Sequence, residues 1–303
     1  MYDVLESAIR PGEARFVLSN RSLNASLAAL PFRGVFGQAR PAPVAALPLP
    51  PEPMPSRHGL RPLKAWRYVG VYGPELMLCA AIIRIGRARQ SFWAVWDRRR
   101  RRLVERTRIG VGGVRLGPGR VVVNGGAIRL DLRLEEQAGV EAVCPTGESY
   151  AWTRKQGGVR ARGVVVVDGT TAPIDARAVI DDTAAYYHRQ TSWQWSAGVG
   201  VAVDGRGVAW NLISGVNDPL LDSERTVWVA GQPFEPPPSV FMPHLAGVDK
   251  LQFHAEATRE RSDNLLLLRS RYRQPFGVFS GELPGGIILA EGHGVMEEHH
   301  AWW

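Results

Sequence analysis

From Trp66 onward, apolar and polar positions alternate in short runs rich in Val, Ile, Trp, Tyr and Phe, broken by Gly, Asp-Gly and Asn-Gly. A period of two with that punctuation predicts antiparallel strands joined by tight turns. The run AIRLDLRLEE shows it most cleanly. Ile128, Leu130, Leu132 and Leu134 fall on one face and Arg129, Asp131 and Arg133 on the other, as in a strand with one wet face. ELMLCAAIIRI is too apolar to be half exposed. Asn124-Gly125, Asp168-Gly169 and Asp204-Gly205 read as hairpin turns, because these residues tolerate positive φ. The basic run Arg98 to Arg102 reads as the turn between FWAVWD and LVERTRI rather than as a phosphate-binding patch, since both flanks alternate. Only DNLLLLRS also suits a helix, and it is too short for its period to decide.

Residues 1–63 have no such alternation. Asn20 to Ala29 suits one or two helical turns. Pro41 to Pro62 is so dense in proline that neither helix nor central strand is expected, which leaves an extended strap or linker. The remainder divides into two similar halves, about Trp66 to Tyr187 and Trp193 to Trp303. Each opens on an aromatic strand, KAWRYVGV or TSWQWSAGV, and each ends on two acids followed by aromatics, IDDTAAYYH or MEEHHAWW. The expected architecture is therefore all-β, with two tandem antiparallel barrels or sandwiches of about eight short strands each. The expected divisions are 1–63 for an irregular N-terminal segment and the proline-rich strap, 64–188 for the first barrel and 189–303 for the second.

Composition adds less. A chain of 303 residues with 45% hydrophobic and 22% charged side chains has material for one large core or two. Ten Trp suit a core or an apolar cavity. The net charge of +8 is carried almost wholly by Arg. No nucleic-acid motif accompanies it, so it reads as solvated surface charge rather than a specific nucleic-acid partner. Cys79 and Cys144 form no CxxC pair, and Cys79 reads as a small core residue. No signal-like N-terminus and no run of eighteen apolar residues is present, so a cytoplasmic protein without a membrane span is expected. Oligomeric state is not legible.

Candidate chemistry gathers in four places. Glu291, His293, Glu297, Glu298, His299 and His300 are the densest ionisable group. On a strand, His293, Glu297 and His299 share a face and would converge inside a barrel as an acid–base set. Further metal ligands are not evident, so neither metal nor cofactor is expected. Asp181, Asp182, Tyr186, Tyr187 and His188 form the matching group of the first half, read mainly as a linker, though a buried carboxylate beside Tyr187 would polarise a ligand. The segment after Trp210 supplies Asn211, Asn217, Asp218, Asp222, Glu224 and Arg225, either ordinary loop residues or the mouth of a barrel. SRYRQPF supplies Arg273, Gln274 and Phe276. Its alternate arginines would pair with a neighbouring strand's acids or clamp an anion. Trp193 and Trp195, two apart, face the same way. The P-loop, dinucleotide-binding, HExxH and GxSxG signatures are absent.

TSWQWSAGVG, VAWNLISGVNDP, SERTVWVAGQP and SRYRQPFGVFSGELPGGIILAEGHGVMEEHHAWW, with PFRGVFG and WRYVGV before them, resemble a bacterial family classed as domain of unknown function 2804. The likeness runs from Pro31 onward. It departs at His300, where an acid is expected, which argues against an essential role for that residue. The family is in turn similar to tandem lipocalin-like (calycin-type) proteins such as carotenoid 1,2-hydratase. That likeness implies a hydrophobic ligand, lipid- or isoprenoid-like, in or between two barrels. Trp193, Trp195, Asn211, Asp218, Glu224, Arg225, Arg273, Gln274, Phe276 and Tyr187 are the expected ligand-binding residues. If the protein is an enzyme (a hydratase, isomerase or cyclase), Glu297 is the expected acid, His299 or His293 its partner and Arg273 an orienting cation. A purely structural or interaction protein is the remaining alternative.

Overall fold

The computed structural model describes residues 20–110, 112–265 and 268–303. Helix α1 (Asn20–Ala28) precedes strand β1 (Phe32–Val35), a single helical turn α2 (Ala42–Ala45) and a small hairpin, β2 (Arg57–His58) with β3 (Arg61–Pro62). The first large sheet then follows. Its strands are β4 (Lys64–Tyr72), β5 (Leu76–Ile85), β6 (Ala88–Asp97), β7 (Arg102–Ile109), β8 (Val114–Gly117), β9 (Arg120–Asn124), β10 (Ile128–Leu134), β11 (Val140–Pro145), β12 (Tyr150–Val167) and β13 (Thr170–Ala185). The second sheet comprises β14 (Gln190–Ala202), β15 (Gly207–Ser214), β16 (Thr226–Val229), β17 (Gln232–Phe234), β18 (Gly247–Val248), β19 (Leu251–Leu265), β20 (Leu268–Leu283) and β21 (Ile287–Trp302).

The chain is all-β in two tandem antiparallel units, as the alternation predicts. The sheets have eleven and eight strands. The expected strands of uniformly short length are corrected: β12 runs for 18 residues and β20 and β21 for 16 each. The internal repeat holds at the level of topology. In each sheet the first long strand of the half is hydrogen-bonded to the last, β4 to β13 and β14 to β21, and a meander leads away from it, β4 to β7 and β14 to β17. The Arg98 to Arg101 stretch is the turn between β6 and β7. Asp168 and Gly169, at φ 48° and 82°, make the tight turn from β12 to β13. DNLLLLRS belongs to the ends of β19 and β20 rather than to a helix, with 266–267 outside the described residues.

Three apolar layers result. Val69, Val71, Leu78, Ala80, Trp93 and Val95 point into the curl of the first sheet, against Leu130, Leu132 and Val165. Val208, Trp210 and Leu212 point into the second, against Phe279, Leu283 and Met296. The intervening positions of the same strands meet in a seam between the sheets, where Tyr68, Cys79, Phe92 and Trp96 face Trp195, Ala197, Phe276 and Val295. Burial on both faces is why β5 reads as continuously apolar. At the seam a Cβ on Gly157 would lie 2.3 Å from the Trp228 ring, so glycine there lets the second sheet dock.

The proline-rich segment is a strap, with Val44, Leu47 and Leu49 buried against Val143, Tyr150, Trp152 and Tyr186. Two details depart from expectation. Ala42–Ala45 does form a helical turn, because its Pro43 stands in the first turn, where no amide donor is needed. Phe32–Val35, within the stretch expected to be irregular, joins the first sheet beside β11. The part of the expected strap at 1–19 lies outside the described residues.

Candidate active site

The alternation that fills both interiors leaves a cavity in the seam instead. Apolar side chains cluster in both interiors, and this cavity lies between the two sheets. The seam cavity holds about 130 Å³, on the order of the ~150 Å³ that accepts a benzene ring. Its aromatic walls come from both halves. Trp66 on β4 stacks between Tyr187 and Trp193 at centroid distances of 6.0 and 6.1 Å, and Tyr68 meets Trp195 edge-on at 5.2 Å.

Register explains the polar groups. On the second sheet Trp193 lies opposite His299 and Trp195 opposite Glu297, so these four side chains leave the same face. Glu297 Oε1 accepts from Trp193 Nε1 at 2.9 Å and Oε2 from Gln274 Nε2 at 2.8 Å. The Tyr272 hydroxyl lies buried on the same wall, close enough to Glu297 to pull its carboxyl downward but with no hydrogen bond of good geometry among the described residues. Burial raises the Glu297 carboxyl to about 7, and the neutral donors around it only partly offset that. His299 packs on Trp193 at 4.3 Å and on Tyr272 at 5.2 Å, and pairs with Ser270 Oγ at 2.8 Å. Burial, with help from His300 and Arg259, lowers it to about 3, so it is a neutral imidazole at physiological pH.

The first sheet repeats the arrangement. Asp181 on β13 accepts from Trp66 Nε1 at 3.0 Å, and its other oxygen accepts from Lys155 Nζ at 2.5 Å. Trp66, Asp181 and Lys155 thus occupy the places that Trp193, Glu297 and Gln274 occupy in the second half. One carboxyl faces a buried ammonium and the other a neutral amide. Lys155 Nζ also lies 3.1 Å from Glu224 Oε1, while Asn217 Nδ2 donates to Glu224 Oε2 at 2.9 Å. For Lys155, burial alone would lower the pKa, but Asp181 and Glu224 outweigh it and keep the ammonium charged. Glu224 is pushed upward by burial and then by Asp181, against the pull of Lys155. At the opposite end of the cavity Arg259 on β19 is 2% exposed and lies over the Phe92 ring at 3.7 Å.

Among the expected residues, Glu297, His299, Trp193, Trp195, Glu224 and Tyr187 line this cavity. Gln274 stands behind Glu297, Asn211 accepts from Trp195 Nε1 at 2.8 Å, and Phe276 packs in the seam below. The others are placed elsewhere. His293 shares the face of Glu297 but lies four residues away along β21, about 13 Å. There its Nε2 is 3.1 Å from Arg98 Nη1, so the expected convergence of His293, Glu297 and His299 is corrected. Arg273 is on the outer face, paired with Glu260 at 3.0 Å, which is the cross-strand alternative. Arg225 is buried beneath its own loop, donating to the carbonyls of Pro219 and Leu220. Asp218 accepts from the Gly215 amide at 2.7 Å and borders an outer groove with His188. Asp181 and Asp182 are strand residues, not linker. Trp66, Lys155, Arg259 and Tyr272 were not among the expected site residues. Trp66 and Asp181 were signalled by the repeat; the other three carry no motif.

Residues 120–234 match the family described as Domain of unknown function (DUF2804). The resemblance found in the sequence is borne out over that span. No curated protein matches the chain. Among solved structures, kievitone hydratase from Nectria haematococca is similar at 11% identity and a TM-score of 0.49, covering 78% of this chain and 88% of that one. CghA is similar at 11% identity and a TM-score of 0.44, covering 90% and 97%. Identities and scores this low leave function to be read from this chain's own residues. Among the described residues no helix is long and apolar enough to cross a membrane, and no group of three or more His, Cys, Asp or Glu is placed to hold a metal ion. Both cysteines are free and buried.

Proposed function

We propose that the protein binds an apolar small molecule in the seam cavity and that Glu297 exchanges a proton with it, as a hydratase, isomerase or cyclase would. One observation carries this reading. A carboxyl sits in an indole-walled cavity, held only by neutral donors and poised at about 7, where it can both give and take a proton near neutral pH. Trp193 and Gln274 orient it. His299, neutral and tied to Ser270, shapes the site without supplying a proton at that pH. The reading takes residues 64–188 and 189–303 as the two units that clasp the ligand, residues 1–63 as their strap, and the protein as cytoplasmic.

The test begins with wild type and Glu297→Gln purified from the native host, with small molecules released by denaturation identified by mass spectrometry. The expected result is an apolar compound retained by the variant in a form that added wild-type protein converts to an isomer, hydrate or dehydrated product. The same compound from both proteins, left unchanged by wild type, would make the protein a carrier and remove the catalytic role of Glu297.

A further inference from the structure

The end of the cavity formed by β19 and β20 carries donors with nothing to donate to. Arg259 Nη2 donates to Thr107 Oγ1 at 2.9 Å, and Nε lies 2.8 Å from Glu105 Oε2. Nη1 is buried with no hydrogen-bond partner among the described residues, and so is Tyr272 Oη. Both side chains line the cavity, and the guanidinium is 4.9 Å from the Tyr272 ring. Buried donors are ordinarily satisfied, so a pair left open on a cavity wall marks the place of an acceptor oxygen. Glu105 already stands against the positive charge. Arg259 Nη1 and Tyr272 Oη nonetheless remain open, so the seat suits an oxygen on which negative charge develops, as on an enolate, and a probe with a charged oxygen reports on it. Arg259 lies directly opposite Gln274, whose amide holds Glu297, so on one wall Arg259 is two strands from the carboxyl and Tyr272 one strand from it.

We infer that the ligand is a small apolar ketone, about one ring system in bulk, whose carbonyl oxygen meets Arg259 Nη1 and Tyr272 Oη. The inference rests on Glu297 being the proton-exchanging group. Ionised Glu297 takes a proton from the carbon beside the carbonyl. The C–H pair becomes a C=C bond, and the carbonyl π pair moves onto the oxygen that Arg259 and Tyr272 hold. The same proton returns from Glu297 to a carbon of the enolate system and the carbonyl re-forms. Atoms and electrons balance with no co-reactant.

The test uses two probes of one shape, benzoate and nitrobenzene, titrated calorimetrically into the full-length protein at a pH below the Glu297 midpoint. Wild type is expected to bind benzoate about tenfold or more tighter than nitrobenzene. Arg259→Gln and Tyr272→Phe are each expected to erase most of that preference while nitrobenzene still binds. Glu297→Gln is expected to keep it, so loss of the preference strikes the oxyanion seat alone and loss of turnover in that variant concerns the proton-transfer reading alone. Equal affinities in wild type, or an undiminished preference in both Arg259→Gln and Tyr272→Phe, would overturn the inference. Binding of neither probe to wild type would overturn it together with the cavity reading. If Arg259→Gln loses nitrobenzene as well, Tyr272→Phe, which removes only an oxygen, decides.

Discussion

Gln274→Lys would place in the second half the cation that Lys155 provides in the first. Gln274 Nε2 is 2.8 Å from Glu297 Oε2, and an ammonium at roughly 3 Å in an effective dielectric of about 20 attracts the carboxylate by ~5–6 kcal/mol. Taking the lysine out of water returns several kcal/mol of that, leaving ~1–3 kcal/mol, or about one to two pKa units. Glu297, now at about 7, should titrate roughly between 5 and 6. The limb of the pH profile that Glu297 sets should shift toward acid by the same amount. The assay is the carboxyl stretching band followed by infrared difference spectroscopy across pH, with Glu297→Gln as the blank. Emission from Trp193, whose indole donates to the same carboxyl, serves as a second reporter. A folded Gln274→Lys protein in which Glu297 still titrates near 7 would refute the claim that burial holds this carboxyl up because no cation stands at 274.

Three further outcomes follow from the same geometry. Glu297 is raised from an ordinary 4.5 to about 7, so its stabilising proton is fully present below 4.5 and is lost as pH rises through 7, costing the wild type up to ~3 kcal/mol. Glu297→Gln should therefore match wild type in urea denaturation near pH 4.5 and exceed it by about 1–3 kcal/mol near pH 8; parallel curves would contradict this. Gly157→Ala should destabilise by about 1–3 kcal/mol in the same assay, because its Cβ would lie 2.3 Å from the Trp228 ring; a neutral effect would mean the sheets can shift apart freely. Leu49→Ala, at a strap position 1% exposed, should cost about 2–4 kcal/mol while leaving benzoate affinity unchanged, and a loss of affinity would tie the strap to the cavity.

The strands were legible because their alternation is local. Ile128 to Leu134 and the turn at Asp168-Gly169 follow from residue spacing alone. The two-sided burial of β5 was legible too, as an apolar run too long for a half-exposed strand. Which face of each strand met which core was not, because a period of two marks two faces without saying whether the second meets water or protein. That ambiguity sent Glu297 and His299 into a barrel in the reading of the sequence, whereas the structure turns them into the seam. Arg259 and Tyr272 were missed for a related reason. They sit among Arg261, Arg269, Arg271 and Arg273 in a basic strand pair, and only three-dimensional burial separates the sequestered Arg259, which shares the cavity wall with Arg261, from the more exposed arginines. Lys155 lies in YAWTRKQ, where nothing marks a lysine as buried. Asp181 was visible through the repeat, but its two acids followed by aromatics look like a connecting segment until β13 is seen to continue through them.

Since the ligand space lies where two already filled sheets meet, the residues that set its size are distinct from those that make either sheet fold. Ile83, Ile213 and Val216 border the cavity, while Val69, Leu132, Trp210 and Leu283 belong to the interiors. Trimming or enlarging the first group re-shapes what the protein accepts at the expense of how tightly its halves adhere. A lineage or a designer can therefore retune specificity along the seam while both hydrophobic interiors stay as they are.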